Sequence, residues 1–165
     1  MSDEPTTTDH RAPAPTQGDR GVVDPDRREV GLTKIGEGRW KATNGRGGVL
    51  PVGSGDDPDF SPVELLLAAL AGCSAIDVDL ITGKRVEAER FTVEATGVKV
   101  SDEDGHHLDG VRLSFEVVFP EGEAGDHARM LLPRGIAASR DRLCTVSRTV
   151  QRGTPVAYED RLSPG

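Results

Sequence analysis

The feature that most constrains this chain is a segment that is apolar on every face of a helix. Residues 65–73 read LLLAALAGC, without one charged or amide side chain. The segment has a clear helix start, in which Ser61 is the N-cap, Pro62 takes the first helical position and Glu64 completes a capping box. We expect the helix to end near Gly83, because glycine commonly follows a last helical turn. A helix without a polar side has to be covered all round.

The rest of the chain is predicted to form strands first and further helix afterwards. Apolar residues occupy every odd position of 111–119, which indicates a strand with one packed face. Asn44-Gly45 is a strong hairpin signal. The predicted elements are strands at 28–42, 48–53, 91–100, 111–119 and 154–162, a polar loop at 101–110, and a helical region at 124–152 interrupted by Pro133 and Gly135 and closed by Gly153. Segregated strands and helices are typical of an α+β fold.

The predicted strands are too few to cover the apolar helix within one chain. A single sheet covers one side of a helix, and about six short strands provide little more than that. An intertwined homodimer, in which two such helices pack against each other between two sheets, covers the remaining faces without further sequence. The pattern therefore favours a homodimer.

Composition and charge limit the compartment and the partners. Residues 1–26 are rich in Thr, Asp, Pro and Gly, which predicts a disordered tail before one domain at 27–165. The formal net charge of -8 disfavours nucleic acids and anionic membranes. The first residues lack the basic and apolar regions of a signal peptide, and no run of about 20 apolar residues is evident. We therefore expect a cytoplasmic protein that binds neither nucleic acid nor membrane.

The two cysteines, Cys73 and Cys144, are the residues best suited to carry chemistry. In a reducing compartment they are either reactive thiols or inert core residues, and composition leaves both interpretations open. Cys73 lies about three turns into the apolar helix, where burial raises the pKa of a thiol unless a cation compensates. Asp77, one turn later, would oppose a thiolate if it faced the same way. Cys144 is predicted to lie at a break between two short helices, and it is flanked by Arg142 and Arg148, whose charges favour a thiolate.

Metal and phosphate sites are not predicted. The cysteines are separated by 71 residues, which excludes a local redox or zinc motif. His106-His107 follows the acidic residues at 102–104, and we interpret this segment as a solvated turn. The glycines between 36 and 55 match no phosphate-binding fingerprint. The sequence thus predicts no bound cofactor or metal.

Two motifs carry a family resemblance. Pro62 and the following ELLLAALAGCSAIDV at 64–78 resemble the central-helix signature of the OsmC/Ohr family, the osmotically inducible and organic hydroperoxide resistance proteins. CTVSRT at 144–149 resembles the second-cysteine motif, which is usually Cys-Pro-Val-Ser. Both stand in the family's order and are followed by GTPV at 153–156. The resemblance covers roughly residues 28–160, nearly all of the predicted domain.

The resemblance implies a fold, an assembly and a reaction. The fold would be an α+β intertwined homodimer with two long central helices sandwiched between antiparallel β-sheets and an active site at the subunit interface. The activity would be that of a cysteine-based peroxidase, in which Cys73 attacks an organic hydroperoxide and becomes a sulfenic acid, and Cys144 then forms a disulfide with it. No cofactor is implied. The reductant would be an external dithiol, often of the lipoyl type, or a thiol reductant protein.

The resemblance also implies two supporting residues. In the family an arginine from the first hairpin holds the thiolate, and a glutamate at the start of the central helix orients that arginine. Arg39 is the candidate arginine, with Arg46 as the alternative. The family's glutamate stands ten residues before the first cysteine, where this chain has Val63, whereas Glu64 stands nine before. One position turns a helical side chain by about 100°, so Glu64 is a candidate both for orienting the arginine and for capping alone.

Two other functions fit the same fold. A dimer that holds a small apolar ligand between its helices would use the cysteines only as packing, and its thiols would resist alkylation. A redox sensor would pass its disulfide to a partner protein, with stoichiometric oxidation and no turnover.

Overall fold

The structure, a computed structural model, describes residues 24–160. The described chain has an α+β fold, as the sequence predicts. Its elements are β1 (Val30–Gly36), β2 (Arg39–Asn44), β3 (Val49–Val52), α1 (Pro62–Thr82), β4 (Arg90–Asp102), β5 (Gly105–Val118), α2 (Glu123–Ala138), a π-helical turn (Ser139–Leu143) and α3 (Thr145–Gln151). The predicted tail at 1–26 lies outside the described residues except for its last three positions.

The first sheet has the strand order β1-β2-β3, and all of its pairs are antiparallel. The prediction of one strand at 28–42 is wrong, because the chain turns at Glu37-Gly38 and Gly38 has a φ of 63°. Glycine reaches this left-handed conformation without the steric cost of a Cβ atom. The predicted hairpin at Asn44 is present, and the Asn44 Oδ1 atom accepts hydrogen bonds from the backbone N–H groups of Arg46 and Gly48 at 2.9 and 3.0 Å.

The second sheet is a long two-stranded hairpin of β4 and β5. Its pairing runs from Arg90 opposite Val118 to Asp102 opposite Gly105. The predicted loop at 101–110 is therefore wrong, since the turn comprises only Glu103 and Asp104. Most residues of the distal hairpin are exposed and none is buried, so polar residues are tolerated in a strand there, and the polarity of the segment led to the wrong prediction.

The central helix α1 begins as the sequence predicts. Ser61 Oγ accepts the Glu64 backbone N–H at 3.3 Å, and Glu64 Oε2 accepts the Ser61 backbone N–H at 2.8 Å. The helix ends at Thr82, next to the predicted stop at Gly83. These paired hydrogen bonds satisfy backbone donors that a helix start otherwise leaves without partners.

Only one stripe of α1 is buried within the chain. Its members recur every four residues and are Leu70, Ser74, Val78 and Thr82. Leu66, one turn before this stripe, is 40% exposed, and on the other faces Ile76 and Leu80 are 64% and 63% exposed. Within the chain α1 contacts α2, α3, β4 and the π-helical turn, and this agrees with the expectation that one chain leaves part of the helix uncovered.

The length and composition of α1 also meet the criteria for a helix that could cross a membrane. This finding corrects the expectation that no segment of the chain is apolar enough to do so. The core helix of a water-soluble protein meets the same criteria, so the observation is weak evidence for a membrane span.

The C-terminal helices are interrupted at Cys144, as the sequence predicts, but not at Pro133 or Gly135. Helix α2 runs through Pro133 and Gly135, and the break lies at 139–144. Gly135 is buried and faces Ile81 of α1, where an added Cβ atom would make an ordinary van der Waals contact of 3.5 Å with Cγ2. Gly153 follows α3 as predicted, with a φ of 58°. The predicted strand at 154–162 is wrong over 154–160, which form no strand, and its last two positions lie outside the described residues.

Candidate active site

The fold brings the two cysteines together. The Sγ atoms of Cys73 and Cys144 and a carboxylate oxygen of Asp77 all lie within 4.8 Å of one another. Both cysteines are free thiols. Cys144 is fully buried, whereas Cys73 is half-buried and therefore retains some access to solvent. Tertiary structure thus joins residues that are far apart in the sequence.

Cys144 is presented by the break between the π-helical turn and α3. The Cys144 backbone N–H donates to the Ser139 carbonyl oxygen at 3.0 Å, which closes the wide turn. The Cys144 backbone then becomes extended, with φ -65° and ψ 101°, and its side chain caps α3. The backbone N–H of Ser147 donates to Cys144 Sγ at 3.3 Å. The sulfur is therefore held at a fixed position against α1.

Asp77 and Ser139 connect α1 to the segment that carries Cys144. The Ser139 hydroxyl, which is 1% exposed, donates to Asp77 Oδ2 at 2.9 Å. The sequence analysis considered Asp77 only as a charge that opposes a thiolate, and it did not identify Ser139. Helical spacing places Asp77 one turn after Cys73. No pattern in the sequence indicates that Ser139 is its partner.

The surroundings of Cys73 disfavour its thiolate. Burial raises the pKa of the Cys73 thiol, and the hydrogen bond with the Cys144 thiol raises it further. The negative charges of Cys144 and Asp77 act in the same direction, while the backbone N–H of Val146 lowers the pKa and offsets part of the effect. Reactivity at neutral pH therefore requires a further positive charge near Cys73.

Arg39 and Glu64 have other partners within the chain. Arg39 Nη2 forms an ion pair with Asp59 Oδ2 at 2.7 Å, and more than half of the arginine side chain is exposed. Glu64 Oε2 accepts from the Ser61 hydroxyl at 2.7 Å, and the hydrogen bonds from Ser61 lower the pKa of this exposed carboxyl. Arg46, the alternative arginine, lies in the exposed turn after β2. In the described part of the chain no hydrogen bond or ion pair joins Arg39 or Glu64 to either cysteine.

A mainly apolar cavity of about 410 Å³ lies between α1, β5 and the C-terminal helices, and its wall includes sequence neighbours of Cys73 but neither cysteine itself. Ser74, next to Cys73, and Ser147, which donates to Cys144, are both part of its wall. The lining residues are Leu70, Ser74, Val111, Leu113, Phe115, Ile136, Arg140, Ser147, Val150 and Gln151. Phe115 lines the cavity, whereas Phe119 is 3% exposed and lies in the core.

The other residues considered in the sequence are not part of the cavity wall, and two of them have side-chain partners of their own. His106 and His107 are exposed on β5, and His107 Nε2 lies 3.8 Å from Asp102 Oδ2. Arg142 is exposed, and Arg148 Nη1 donates to Gln151 Oε1 at 3.4 Å. The two histidines are solvent-exposed, as predicted, but they lie in strand β5 and not in the turn.

Fold and site together define an α+β protein in which a thiol from a long central helix meets a thiol from the break before the last helix. The sequence profile of the family described as OsmC-like protein matches residues 53–159. The chain belongs to this family, so the family resemblance seen in the sequence is confirmed.

Individual relatives agree with this assignment. An uncharacterised protein of Mycobacterium tuberculosis is 26% identical over 133 residues, which cover 79% of this chain and 94% of the relative. An OsmC-like protein from Mycoplasma pneumoniae is similar in structure, with a TM-score of 0.62 at 17% identity, covering 77% of this chain and 89% of the other. An OsmC-like protein of unknown function from Vibrio cholerae has a TM-score of 0.63 at 16% identity, covering 76% and 94%. These structural similarities show the fold.

Proposed function

We propose that this protein is a thiol-dependent peroxidase that reduces organic hydroperoxides to alcohols. The observation that carries the proposal is the pair of free thiols whose sulfur atoms lie within 4.8 Å of each other. The two roles follow from exposure: Cys73 retains access to solvent, and Cys144 is buried behind it. A peroxide therefore reaches Cys73 first.

The proposed reaction has three steps. The Cys73 thiolate attacks the distal oxygen of ROOH, the O–O bond breaks, and the leaving alkoxide takes a proton to become ROH. Cys144 then attacks the sulfur of the Cys73 sulfenic acid, which forms the disulfide and releases water. An external dithiol reduces the disulfide by thiol–disulfide exchange and is itself oxidised. We propose a lipoyl-type dithiol or a thiol reductant protein for this role, in the cytoplasm.

The adjacent cavity favours an apolar substrate. Its volume of about 410 Å³ and its lining of Leu70, Leu113 and Phe115 suit an alkyl or aryl group. Such a group would place the peroxide oxygens at the polar end of the cavity, near Ser74 and Ser147. The same cavity supports a second candidate function, the binding of a small apolar ligand without catalysis.

We further propose that the active protein is an intertwined homodimer. Large apolar side chains of α1 are exposed in the single chain, and so are Val30, Leu32 and Ile35 of β1. The first sheet has no extensive packing against any helix of its own chain. An exposed apolar helix face and a sheet without a covering layer are together typical of a surface that a second copy buries.

The dimer would also supply the positive charge that Cys73 lacks. Arg39 lies on the first sheet, which has no extensive packing against α1 of its own chain, so the proposal brings this arginine to Cys73 from the second copy. Glu64 would orient it while still capping α1. A carboxylate offers about four acceptor positions, so both roles are compatible for one side chain.

Peroxide consumption tests the proposal. The reduced protein is mixed with tert-butyl hydroperoxide or cumene hydroperoxide and a lipoyl-type dithiol, and the remaining peroxide is measured. We expect turnover by the wild type, none by Cys73→Ser, and rapid over-oxidation of Cys73 in Cys144→Ser. Equal rates in wild type and Cys73→Ser would rule the enzyme out.

The same protein sample distinguishes the other candidates. Thiols that resist alkylation in the native state, together with a copurifying apolar molecule, would favour the ligand-binding function. Stoichiometric disulfide formation without turnover, followed by exchange with a second protein, would favour a redox sensor.

A further inference from the structure

We propose that Cys73, Cys144 and Asp77 form a binding site for a soft divalent transition metal ion, with Zn²⁺ as the ion that fits best. The site uses the same thiols as the proposed peroxidase, but it does not depend on that activity. A chain that failed to reduce peroxides could still bind the metal.

The geometry needs little rearrangement. A tetrahedral zinc site with Zn–S bonds of about 2.3 Å holds two sulfur atoms roughly 3.8 Å apart. The three donor atoms here lie within 4.8 Å of one another, so they have to approach by roughly 1 Å or less. They come from one helix and one helix break, and side-chain rotation is enough for such a change.

The donor set determines which ions fit. Two thiolates and one carboxylate suit Zn²⁺ and its analogues Co²⁺ and Cd²⁺, whereas Mg²⁺ and Ca²⁺ prefer oxygen ligands throughout. Three protein ligands leave a fourth tetrahedral position for water or another small ligand. A divalent ion would also compensate the three acidic groups that converge here.

Hydrogen bonds already orient all three donors. The Ser139 hydroxyl donates to Asp77 Oδ2, the Ser147 backbone N–H donates to Cys144 Sγ, and the Val146 backbone N–H faces the Cys73 sulfur. Outer contacts of this kind fix ligand orientation in metal sites. The half-buried Cys73 and the adjacent cavity provide an entry path.

Cobalt titration tests the site. The full-length protein is reduced with a phosphine, stripped with a chelator that is then removed, and titrated with Co²⁺. We expect one ion per chain, thiolate-to-cobalt charge-transfer absorption, and tetrahedral ligand-field bands that disappear when Zn²⁺ is added. An absence of charge-transfer absorption at saturating Co²⁺ would overturn the proposal.

Matched variants identify the ligands. Cys73→Ser and Cys144→Ser should each remove about half of the charge-transfer intensity or abolish binding, and Asp77→Asn should weaken Zn²⁺ binding about tenfold or more. Asp79→Asn, an exposed change on the same helix, should leave binding unchanged. Equal affinities for Asp77→Asn and Asp79→Asn would overturn the proposal. Full retention of binding in Cys73→Ser with loss in His107→Ala would overturn it as well, since it would place the ion on the hairpin.

Discussion

The hydroxyl of Ser139 donates a hydrogen bond to Asp77 Oδ2 over 2.9 Å, between residues 62 positions apart in the chain. This contact fixes the π-helical turn to α1 one helical turn beyond Cys73. The same turn ends at Cys144, whose backbone N–H binds the Ser139 carbonyl oxygen. One serine therefore connects the carboxylate beside the first thiol to the backbone that carries the second.

Ser139→Ala should loosen the cysteine pair. The change leaves a half-buried carboxylate without its hydroxyl donor, which we expect to lower the free energy of unfolding by about 1–3 kcal/mol. Urea unfolding measures this loss, and Ser101→Ala, an exposed change on β4, is the control. The rate of disulfide formation with diamide should also fall. Unchanged stability together with an unchanged oxidation rate would show that the contact does not hold the site.

Asp77→Asn should make Cys73 more acidic. Burial and the Cys144 thiol raise the pKa of Cys73, and the Asp77 charge adds to that effect, so its removal lowers the pKa. The asparagine carbonyl can still accept from Ser139. The pH midpoint of iodoacetamide alkylation, measured on chelator-treated Cys144→Ser protein, should shift downward for Asp77→Asn and stay unchanged for Asp79→Asn. A midpoint that does not move would contradict the assigned role of Asp77.

The same pKa predicts how stability depends on pH. A thiol whose pKa is raised in the folded state stabilises the fold fully below its unfolded value of about 8.5, and this contribution is lost as pH rises through the folded pKa. Reduced wild-type protein should therefore lose stability above about pH 8.5 more steeply than Asp77→Asn. Urea unfolding at several pH values compares the two slopes. A steeper loss in Asp77→Asn would contradict the sign of the shift.

Arg39→Ala should slow peroxide reduction if the second copy brings this arginine to Cys73. Loss of a charge-assisted hydrogen bond, worth about 1.5–3 kcal/mol, corresponds to a rate loss of about tenfold or more. The alkylation midpoint of Cys73 should rise in the same variant. Arg46→Ala is the comparison, because Arg46 lies in the next turn and is also solvent-exposed. A loss of activity in Arg46→Ala but not in Arg39→Ala would show that Arg46 is the arginine that stabilises the Cys73 thiolate.

The sequence predicts those parts of the fold whose signals lie within a few neighbouring residues. The start of α1 depends on Ser61, Pro62 and Glu64, all adjacent in sequence, and its capping box formed as expected. The hairpin at Asn44 is likewise a short-range signal. The polar residues at 101–110 led to the wrong prediction of a loop, because polar residues suit a solvent-exposed hairpin as well as a loop.

The geometry of the site could not be predicted in the same way. The break at Cys144 could be predicted from the sequence, but the π-helical turn at Ser139–Leu143 and the continuity of α2 through Pro133 and Gly135 could not. The approach of the two sulfurs and the contact of Ser139 with Asp77 are both long-range. Motif resemblance indicated that the cysteines act together, while their separation and their surroundings required coordinates.

Two changes on the exposed face of α1 test the proposed dimer. Ile76 and Leu80 are 64% and 63% exposed in the single chain, and Met130 on α2 is 68% exposed. Truncation of an exposed side chain changes stability by about 0.5 kcal/mol or less, whereas truncation of a buried Ile or Leu costs about 2–5 kcal/mol. If a second copy covers α1, Ile76→Ala and Leu80→Ala should cost far more than Met130→Ala.

A dimer that covers α1 and a monomer that leaves it exposed also differ in how the free energy of unfolding depends on protein concentration. A folded dimer becomes more stable as protein concentration rises, because association draws the equilibrium away from the unfolded chain. Urea midpoints of the wild type should therefore increase with concentration, and sedimentation should show Ile76→Ala and Leu80→Ala shifted toward monomer. Midpoints independent of concentration, with all three variants alike, would mean that α1 stays uncovered. In that case Arg39 could not reach Cys73 from a second copy, and the proposed source of thiolate stabilisation would be lost with the dimer.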